Sequence, residues 1–274
     1  MIIDSHQHFW KYNPDRDVWI DDTMEVIRKD FLPKNLKPIL EQNGIDGCIA
    51  VQADQSESET EFLLACAAKN PFIKGVVGWV DLTAKNLEKR LIHYKENPLF
   101  KGVRHIVQAE KDNYLLRKDV QKGIGKLAKH NLTYDILVYP HQLPATIQMV
   151  EKFPEQKFIL DHIAKPNVSA PMNNQWKTSI TSLSSFKNVS CKLSGMVTEA
   201  KDFEFKNQDF TPFIEHILNC FGPERVMFGS DWPVCLLAAD YKKVLALIND
   251  YLKPHDEGTK AKILGNNAIK IYNL

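Results

Sequence analysis

The sequence has no apolar run of about 18 residues, the length that a membrane-spanning helix requires. It also has no excess of one charge sign: it contains 35 Lys and Arg and 34 Asp and Glu, which gives a net charge of +1. A nucleic-acid-binding protein usually carries a basic stripe, so that class is disfavoured. The first residues, MIIDSHQHFW, place charge and histidine where a signal peptide needs apolar residues. We therefore expect a cytoplasmic protein that binds neither membranes nor nucleic acids.

Cysteine is scarce, and none of it occurs in a C-x-x-C pair, which argues against a zinc ribbon or a thioredoxin-like site. We interpret all five cysteines as small hydrophobic residues rather than ligands. They are Cys48, Cys66, Cys191, Cys220 and Cys235. No glycine-rich phosphate-binding loop follows the first apolar run, IIDSH, which disfavours an open doubly wound sheet.

What the sequence does contain is an alternation of short apolar runs with segments of helical period. Runs such as CIAVQ and YDILVY are typical of parallel strands that are buried on both faces. The predicted strands are Ile2–Ser5, Gly47–Gln52, Ile73–Val80, Phe100–Ile106, Thr133–Val138, Lys157–Asp161, Val189–Leu193 and Arg225–Gly229. Eight strands with intervening helices predict a (β/α)₈ barrel, and 274 residues without a linker or repeat predict one domain over 1–274. The doubly wound sheet is the alternative.

The intervening segments carry helix signals of two kinds. Ser56 and Glu59 offer a capping box before an apolar helical face, and Asn131 is placed to end another helix. The tail from Thr259 to Tyr272 has the period of a single closing helix.

Polar side chains end several of the predicted strands, where a barrel of this kind places its chemistry. His6 and His8 are two residues apart on strand one, so both imidazoles point to the same face. Two neutral imidazoles side by side suit a divalent metal, typically zinc. His162 after strand six and Asp231 after strand eight add the further ligands that a catalytic zinc site needs. A polar strand end or a helix cap is the alternative for each residue taken alone.

Further strand-end residues are candidates for substrate contact. Arg104 suits a carboxylate or a polarised carbonyl oxygen, and Asp161 is a candidate for orienting a neighbour. The other predicted substrate-binding residues are Gln52, His105, Lys165, Lys192, Trp10 and Trp232, with Trp79 as a residue for which core packing is at least as good an interpretation.

Five segments, in this order along the chain, resemble the amidohydrolase superfamily and its branch of sugar lactonases and pyrone-dicarboxylate lactonases. They are DSHQHFW, KGVRH, DHIAKP, CKLSG and FGSDWPV, followed by the tail ILGNNAIKIY. The resemblance implies a (β/α)₈ barrel and hydrolysis of aldonolactones such as L-fuconolactone or L-rhamnonolactone. It also implies that His6, His8, His162 and Asp231 correspond to the metal-binding positions of the family.

The resemblance departs from the binuclear amidohydrolases at strands four and five. Strand four ends in Arg104-His105 instead of a bridging Lys or Glu, and strand five ends without histidine. We therefore expect one divalent metal, with zinc as the first choice and metal-independent hydrolysis as the alternative.

The mechanism predicted from these residues is general-base hydrolysis of a lactone. Asp231 activates water and returns the proton to the ring oxygen, while zinc, or Arg104 with His162, stabilises the oxyanion. The alternatives are a metal-dependent decarboxylase or other amidohydrolase, a pyrone-dicarboxylate lactonase, and a non-enzymatic binding module. The predicted partner is the small lactone, and the sequence leaves homo-oligomerisation open.

Overall fold

The computed structural model describes residues 1–274 and contains eight parallel strands in one sheet. The strands are β1 Ile3–Gln7, β2 Gly47–Val51, β3 Ile73–Gly78, β4 Phe100–His105, β5 Thr133–Ile136, β6 Phe158–Leu160, β7 Val189–Leu193 and β8 Val226–Phe228. They pair in chain order from β1 to β8. Every strand residue except Lys74 and Lys101 is buried, as expected when helices cover the outside of a parallel barrel.

Ten α-helices surround the barrel or follow its last strand. They are α1 Pro33–Gln42, α2 Glu57–Lys69, α3 Leu87–Lys95, α4 Lys118–Leu127, α5 Leu143–Glu151, α6 Asn174–Ser184, α7 Asn207–Phe221, α8 Tyr241–Leu252, α9 Glu257–Ala261 and α10 Asn267–Tyr272. The apolar faces of α1 to α8 contribute to one core of 66 buried side chains, and α10 contributes to a second, smaller cluster. No helix combines the length and the apolar composition that a membrane span requires.

The barrel closes where β1 meets the segment that follows β8. The His8 amide donates to the Trp232 carbonyl at 2.7 Å, and the Asp231 amide donates to the His6 carbonyl at 2.8 Å. The Ser5 hydroxyl adds a hydrogen bond to the Phe228 carbonyl at 2.6 Å. This closure brings the first histidines of the chain beside the carboxylate that follows the last strand.

The C-terminal helix α10 covers the amino-terminal end of the barrel. The Asn273 carbonyl accepts a hydrogen bond from the Lys101 side chain near the start of β4 at 2.7 Å. The Tyr272 side chain is buried with Ile3, Met227 and other strand residues. Active-site chemistry in barrels occurs at the opposite, carboxyl end of the strands, so α10 leaves that end open.

The fold confirms the predicted single (β/α)₈ barrel, and each predicted strand agrees with an observed strand to within a few residues. The Ser56 hydroxyl caps α2 by accepting from the Glu59 amide at 3.2 Å. Asn131 ends the helical turn that follows α4, as predicted, and its backbone is left-handed there, with φ of 51°.

Two local predictions were wrong in part. The Glu59 carboxylate does not return to Ser56 and complete a capping box, because it accepts from the Ala53 and Asp54 amides at 3.0 and 2.7 Å. The closing helix is broken into α9, a π-helical turn over Lys262–Asn266, and α10. Within that turn Gly265 lies against the Met1 carbonyl oxygen, which would be 2.0 Å from an added Cβ. This close approach excludes a larger residue.

Candidate active site

Three imidazoles converge on one carboxylate oxygen at the carboxyl end of the barrel. Asp231 Oδ1 lies 3.2 Å from His8 Nε2, 3.7 Å from His6 Nε2 and 3.9 Å from His162 Nε2. All four side chains are at most 5% exposed. Because β1 is extended, His6 and His8 point to the same side, and Gln7 between them points to the other. The four predicted metal-binding residues therefore lie together.

His162 reaches this point through a left-handed turn that follows β6. Residues 162–165 all have φ between 49° and 59°, a conformation that costs roughly 1–2 kcal/mol per residue outside glycine. Gly195 after β7 makes room for the ring, since a Cβ there would lie 2.4 Å from His162 Nδ1. Backbone strain of this kind is concentrated at functional sites.

The position of the proton on His8 tests whether His6, His8, His162 and Asp231 suit a metal ion. Its Nδ1 lies 2.7 Å from the Val51 carbonyl oxygen, which only accepts, so Nδ1 carries the proton of the neutral ring. The lone pair on Nε2 then faces the Asp231 carboxylate at 3.2 Å. Two acceptors repel at this distance unless a proton or a cation lies between them. A metal ion resolves the conflict, so the residues fit one.

The electrostatics of the other ligands agree with this fit. Burial lowers the pKa of His6 and of His162 well below the usual value, so both rings are neutral and offer lone pairs. Burial alone would raise the pKa of Asp231, but the surrounding groups, with the Lys165 cation among them, outweigh burial and lower the pKa, so the carboxylate is ionised. His6, His8 and Asp231 form one candidate ligand set, and His6, Asp161 and His162 form another. Neutral imidazoles with carboxylate oxygen are typical ligands of a catalytic zinc site.

A second group of charges lies beneath the first and contacts His6. Lys192 Nζ is 2.6 Å from Asp135 Oδ2, 3.0 Å from Asp161 Oδ1 and 3.2 Å from His6 Nδ1. Arg104 donates to Asp161 Oδ2 at 3.2 Å. Burial raises the pKa of Asp161, but Lys192 and Arg104 outweigh it and lower the pKa below the usual value. Asp161 therefore stays ionised and fixes the position of Arg104, which is the orienting role predicted for it.

The mouth of the barrel opens into a cavity of about 530 Å³. His8, His162 and Asp231 lie in its wall, together with Arg104 and Lys165. Loops supply the other lining residues that matter here: Trp19, Gln55, Gln108, Tyr139, Thr198, Glu199 and Phe203. The cavity therefore joins the candidate metal centre to a mixed aromatic and polar wall.

Five of the predicted substrate-binding side chains do not line this cavity. Gln52 is fully buried and accepts a hydrogen bond from Arg104 Nε at 3.0 Å, so it positions Arg104. His105 accepts from the Trp79 indole at 3.2 Å and faces Glu110 at 3.0 Å. Lys192 points inward as predicted, but it occupies a deeper layer than the mouth and is fully buried. Alternation along a strand gives the direction of a side chain and not its depth in the barrel.

The two tryptophans, Trp10 and Trp232, also lie outside the cavity wall. Trp10 donates to the Lys29 carbonyl at 2.9 Å, and both rings pack edge to face on Phe31. This aromatic cluster supports the segment that contains Asp231 on the side that faces away from the cavity. The tryptophan that lines the cavity is Trp19, which is 41% exposed.

Asp135, Glu199 and the loop residues of the cavity wall were not predicted from the sequence. A signal existed for Asp135, because a single carboxylate inside the apolar run YDILVY requires a buried partner. Glu199 lies on a short helical turn beyond β7, where nothing in the local pattern distinguishes it from a solvated acid. Its Oε1 is 2.7 Å from Lys165 Nζ. Burial raises the pKa of Glu199, whereas the ion pair holds the pKa of Lys165 above its usual value despite burial.

Known proteins resemble this chain over its whole length. Residues 3–274 match the amidohydrolase family model. A curated L-fucono-1,5-lactonase from Burkholderia multivorans is 35% identical over 99% of this chain and 96% of its own length. A second from Burkholderia ambifaria is 31% identical over 99% of this chain and 95% of its own length.

A crystal structure of an amidohydrolase from Burkholderia multivorans, solved with zinc bound, has a TM-score of 0.96. It is 35% identical and covers 100% of this chain and 99% of that chain. These similarities confirm the predicted superfamily and the predicted hydrolase class. The chain belongs to the amidohydrolase family.

Proposed function

We propose that this protein hydrolyses the ester ring of a sugar-acid lactone of the L-fucono-1,5-lactone type. The observation that carries the proposal is the convergence of three imidazoles on Asp231 at the floor of a sugar-sized cavity. The names of the two Burkholderia relatives support the substrate class. The expectation from the sequence was the same reaction.

The chemistry requires an attacking water, a polarised carbonyl and a proton for the leaving oxygen. Asp231 accepts a proton from water while the water oxygen bonds to the carbonyl carbon, and a tetrahedral intermediate forms. The bond from that carbon to the ring oxygen then breaks, and Asp231 returns the proton to this oxygen. The product is the open hydroxy acid, which ionises at neutral pH and releases one proton.

Arg104 and the histidines prepare the site for the charge that develops. Arg104 is fixed by Gln52 and Asp161 and keeps its guanidinium in the cavity wall. Preorganised donors of this type are worth about 10²–10³ in rate each. We also propose that His6, His8, His162 and Asp231 hold zinc, which when bound polarises the carbonyl and stabilises the oxyanion.

The cavity wall offers two kinds of contact for a sugar. Trp19 and Tyr139 line the cavity and supply aromatic rings on which the apolar face of a sugar can pack. Gln108 has a buried side-chain oxygen without a hydrogen-bond partner, which can accept from a hydroxyl. Lys165 and Glu199 provide a donor and an acceptor side by side. We propose these residues for substrate contact in place of the five predicted ones that do not line the cavity.

A panel of lactones tests the reaction directly. The protein is stripped with chelator, reloaded with zinc, manganese or magnesium, and assayed by proton release with L-fucono-1,5-lactone and L-rhamnono-γ-lactone. We expect turnover of at least one neutral aldonolactone, restored best by zinc. Zinc also raises the Tm of the stripped wild type, because an ion that binds only the folded state stabilises it.

The outcome against the proposal is no turnover of any lactone by a folded, metal-loaded protein. Release of carbon dioxide from an aromatic carboxylate would instead favour the decarboxylase alternative. If zinc leaves both Tm and activity unchanged, the metal assignment is wrong and hydrolysis by the protein residues alone replaces it.

A further inference from the structure

The cationic side chains that line the cavity each have a partner of opposite sign. The two cations in its wall are Arg104 and Lys165. Arg104 is matched by Asp161 at 3.2 Å, beneath the wall, and Lys165 by Glu199 at 2.7 Å, within the wall. A ligand with permanent negative charges therefore finds no unpaired cationic side chain in this wall.

The Lys165–Glu199 pair is held in place from both sides. Lys165 ends the left-handed turn after β6, where its amide donates to the His162 carbonyl at 2.8 Å. Glu199 ends the short turn Val197–Glu199 after β7, which begins at the buried Val197. Their side chains are only 15% and 18% exposed, so solvent screens the pair weakly.

We propose that Glu199 is a specificity-determining residue. By neutralising Lys165, it makes the cavity bind neutral lactones in preference to negatively charged ones. The inference rests on the proposed function and adds the charge class of the substrate. With Glu199 in place, the pair offers one donor and one acceptor to neighbouring hydroxyls of a sugar. Without the Glu199 charge, Lys165 becomes a free cation in a partly dry wall and attracts a carboxylate.

The test compares Glu199→Gln with the wild type on two charge classes of ligand. One measurement is the ratio of kcat/KM for L-fucono-1,5-lactone to kcat/KM for 2-pyrone-4,6-dicarboxylate. The other is calorimetric binding of benzene-1,3-dicarboxylate, which has no ester to hydrolyse. We expect Glu199→Gln to lower the ratio and to tighten dicarboxylate binding by at least about tenfold, since one full charge changes at close range. Both effects decrease as salt rises.

Two further variants separate this role from a general effect. Lys165→Met in the Glu199→Gln background removes the cation and returns dicarboxylate binding to the wild-type level. Glu110→Gln removes the same charge from a carboxylate that pairs with His105 outside the cavity, and leaves the ratio unchanged. If Glu199→Gln does not fold, Lys165→Met alone leaves Glu199 unpaired and weakens dicarboxylate binding.

Unchanged dicarboxylate binding in Glu199→Gln, or a gain that persists when Lys165 is also replaced, overturns the inference. The binding measurement needs no turnover. A protein that opens no lactone therefore contradicts the proposed function and leaves the assignment of Glu199 to be decided by calorimetry.

Discussion

The interior of this barrel contains two groups of buried polar residues. The upper group is His6, His8, His162 and Asp231, and the lower group is Lys192, Asp135 and Asp161. The two groups differ in how well their charges are satisfied. In the upper group, the Nε2 lone pair of His8 faces the Asp231 carboxylate at 3.2 Å without a donor between them. In the lower group, Lys192 contacts two carboxylates at 2.6 and 3.0 Å. The upper group therefore lacks a cation between its acceptors, whereas the lower group contains its own cation in Lys192.

The lower group is also closed from the amino-terminal end of the barrel. The Tyr272 hydroxyl of α10 donates to Asp135 Oδ2 at 2.6 Å, and the Lys192 ammonium lies 5.5 Å from the centre of the Tyr272 ring. The C-terminal helix thereby connects to the charges beneath His6. We expect substitutions in the upper group to affect catalysis and those in the lower group to affect stability.

The largest expected effect is on catalysis, from Asp231→Asn. The amide keeps the shape of the side chain but accepts no proton at neutral pH, so kcat falls by about 10²–10⁴ while the Tm stays close to wild type. The measurement is proton release on the lactone, with thermal unfolding in parallel. Asp240→Asn, at the amino terminus of α8, is the control and retains full activity. Activity above about a tenth of wild type would refute the role of Asp231 as the base.

The next effect is on stability, from Lys192→Met. Without the ammonium, Asp135 and Asp161 are left as buried carboxylates of like charge, and the free energy of unfolding falls by about 3–5 kcal/mol. Urea denaturation measures the change. The control is Lys260→Met, which removes an exposed ion pair with Glu257 and costs at most about 1 kcal/mol. An equal loss in the two variants would contradict the comparison of the two groups.

Tyr272→Phe gives a smaller loss of stability. It removes only the hydroxyl that donates to Asp135, which costs about 1.5–3 kcal/mol for a hydrogen bond to a charged acceptor. The value of kcat stays within a few-fold of wild type, because no group of the cavity wall changes. Tyr251→Phe, on the half-buried side of α8, is the matched control and loses less. If Tyr272→Phe abolished activity and left unfolding unchanged, α10 would belong to the catalytic machinery.

The last expected effect is on the slope of stability with pH, and it concerns a buried carboxyl that lacks a cation, in contrast to Asp135 and Asp161. Burial raises the pKa of Glu59 to about 8, so the folded state holds a proton that the unfolded state has released. Its contribution to stability is therefore present below about pH 4.5 and is lost as pH rises through 8, by up to about 1.4 kcal/mol per pH unit.

Glu59→Gln removes this titration, so stability falls less steeply between pH 5 and pH 8 than in the wild type. Urea midpoints across that range measure the difference in slope. We expect the variant to fold, because the Gln side chain keeps an oxygen that accepts from the Ala53 and Asp54 amides. Glu57→Gln, an acid in the same turn that pairs with Arg90 at the surface, is the control. Identical slopes in Glu59→Gln and wild type would show that Glu59 is ionised in the folded protein.

The sequence by itself determined the barrel and the centre of the site. Eight apolar runs of strand length set the number of strands, since burial on both faces leaves a continuous apolar signal. His6 and His8 share a face because side chains alternate along a strand, and polar residues that end parallel strands gather at one end of a barrel. These inferences need only local periodicity and chain order.

The tertiary structure alone decided the depth of each side chain and the partners of each charge. Lys192 was predicted to contact substrate, yet it lies one layer below the cavity with Asp135 and Asp161. Glu199 lies in the cavity wall on a short turn after β7, and the local sequence of this turn does not predict which residues it contacts. Periodicity states which way a side chain points, whereas its depth and its neighbours depend on contacts between residues far apart in the chain, and only the closed barrel brings those residues together.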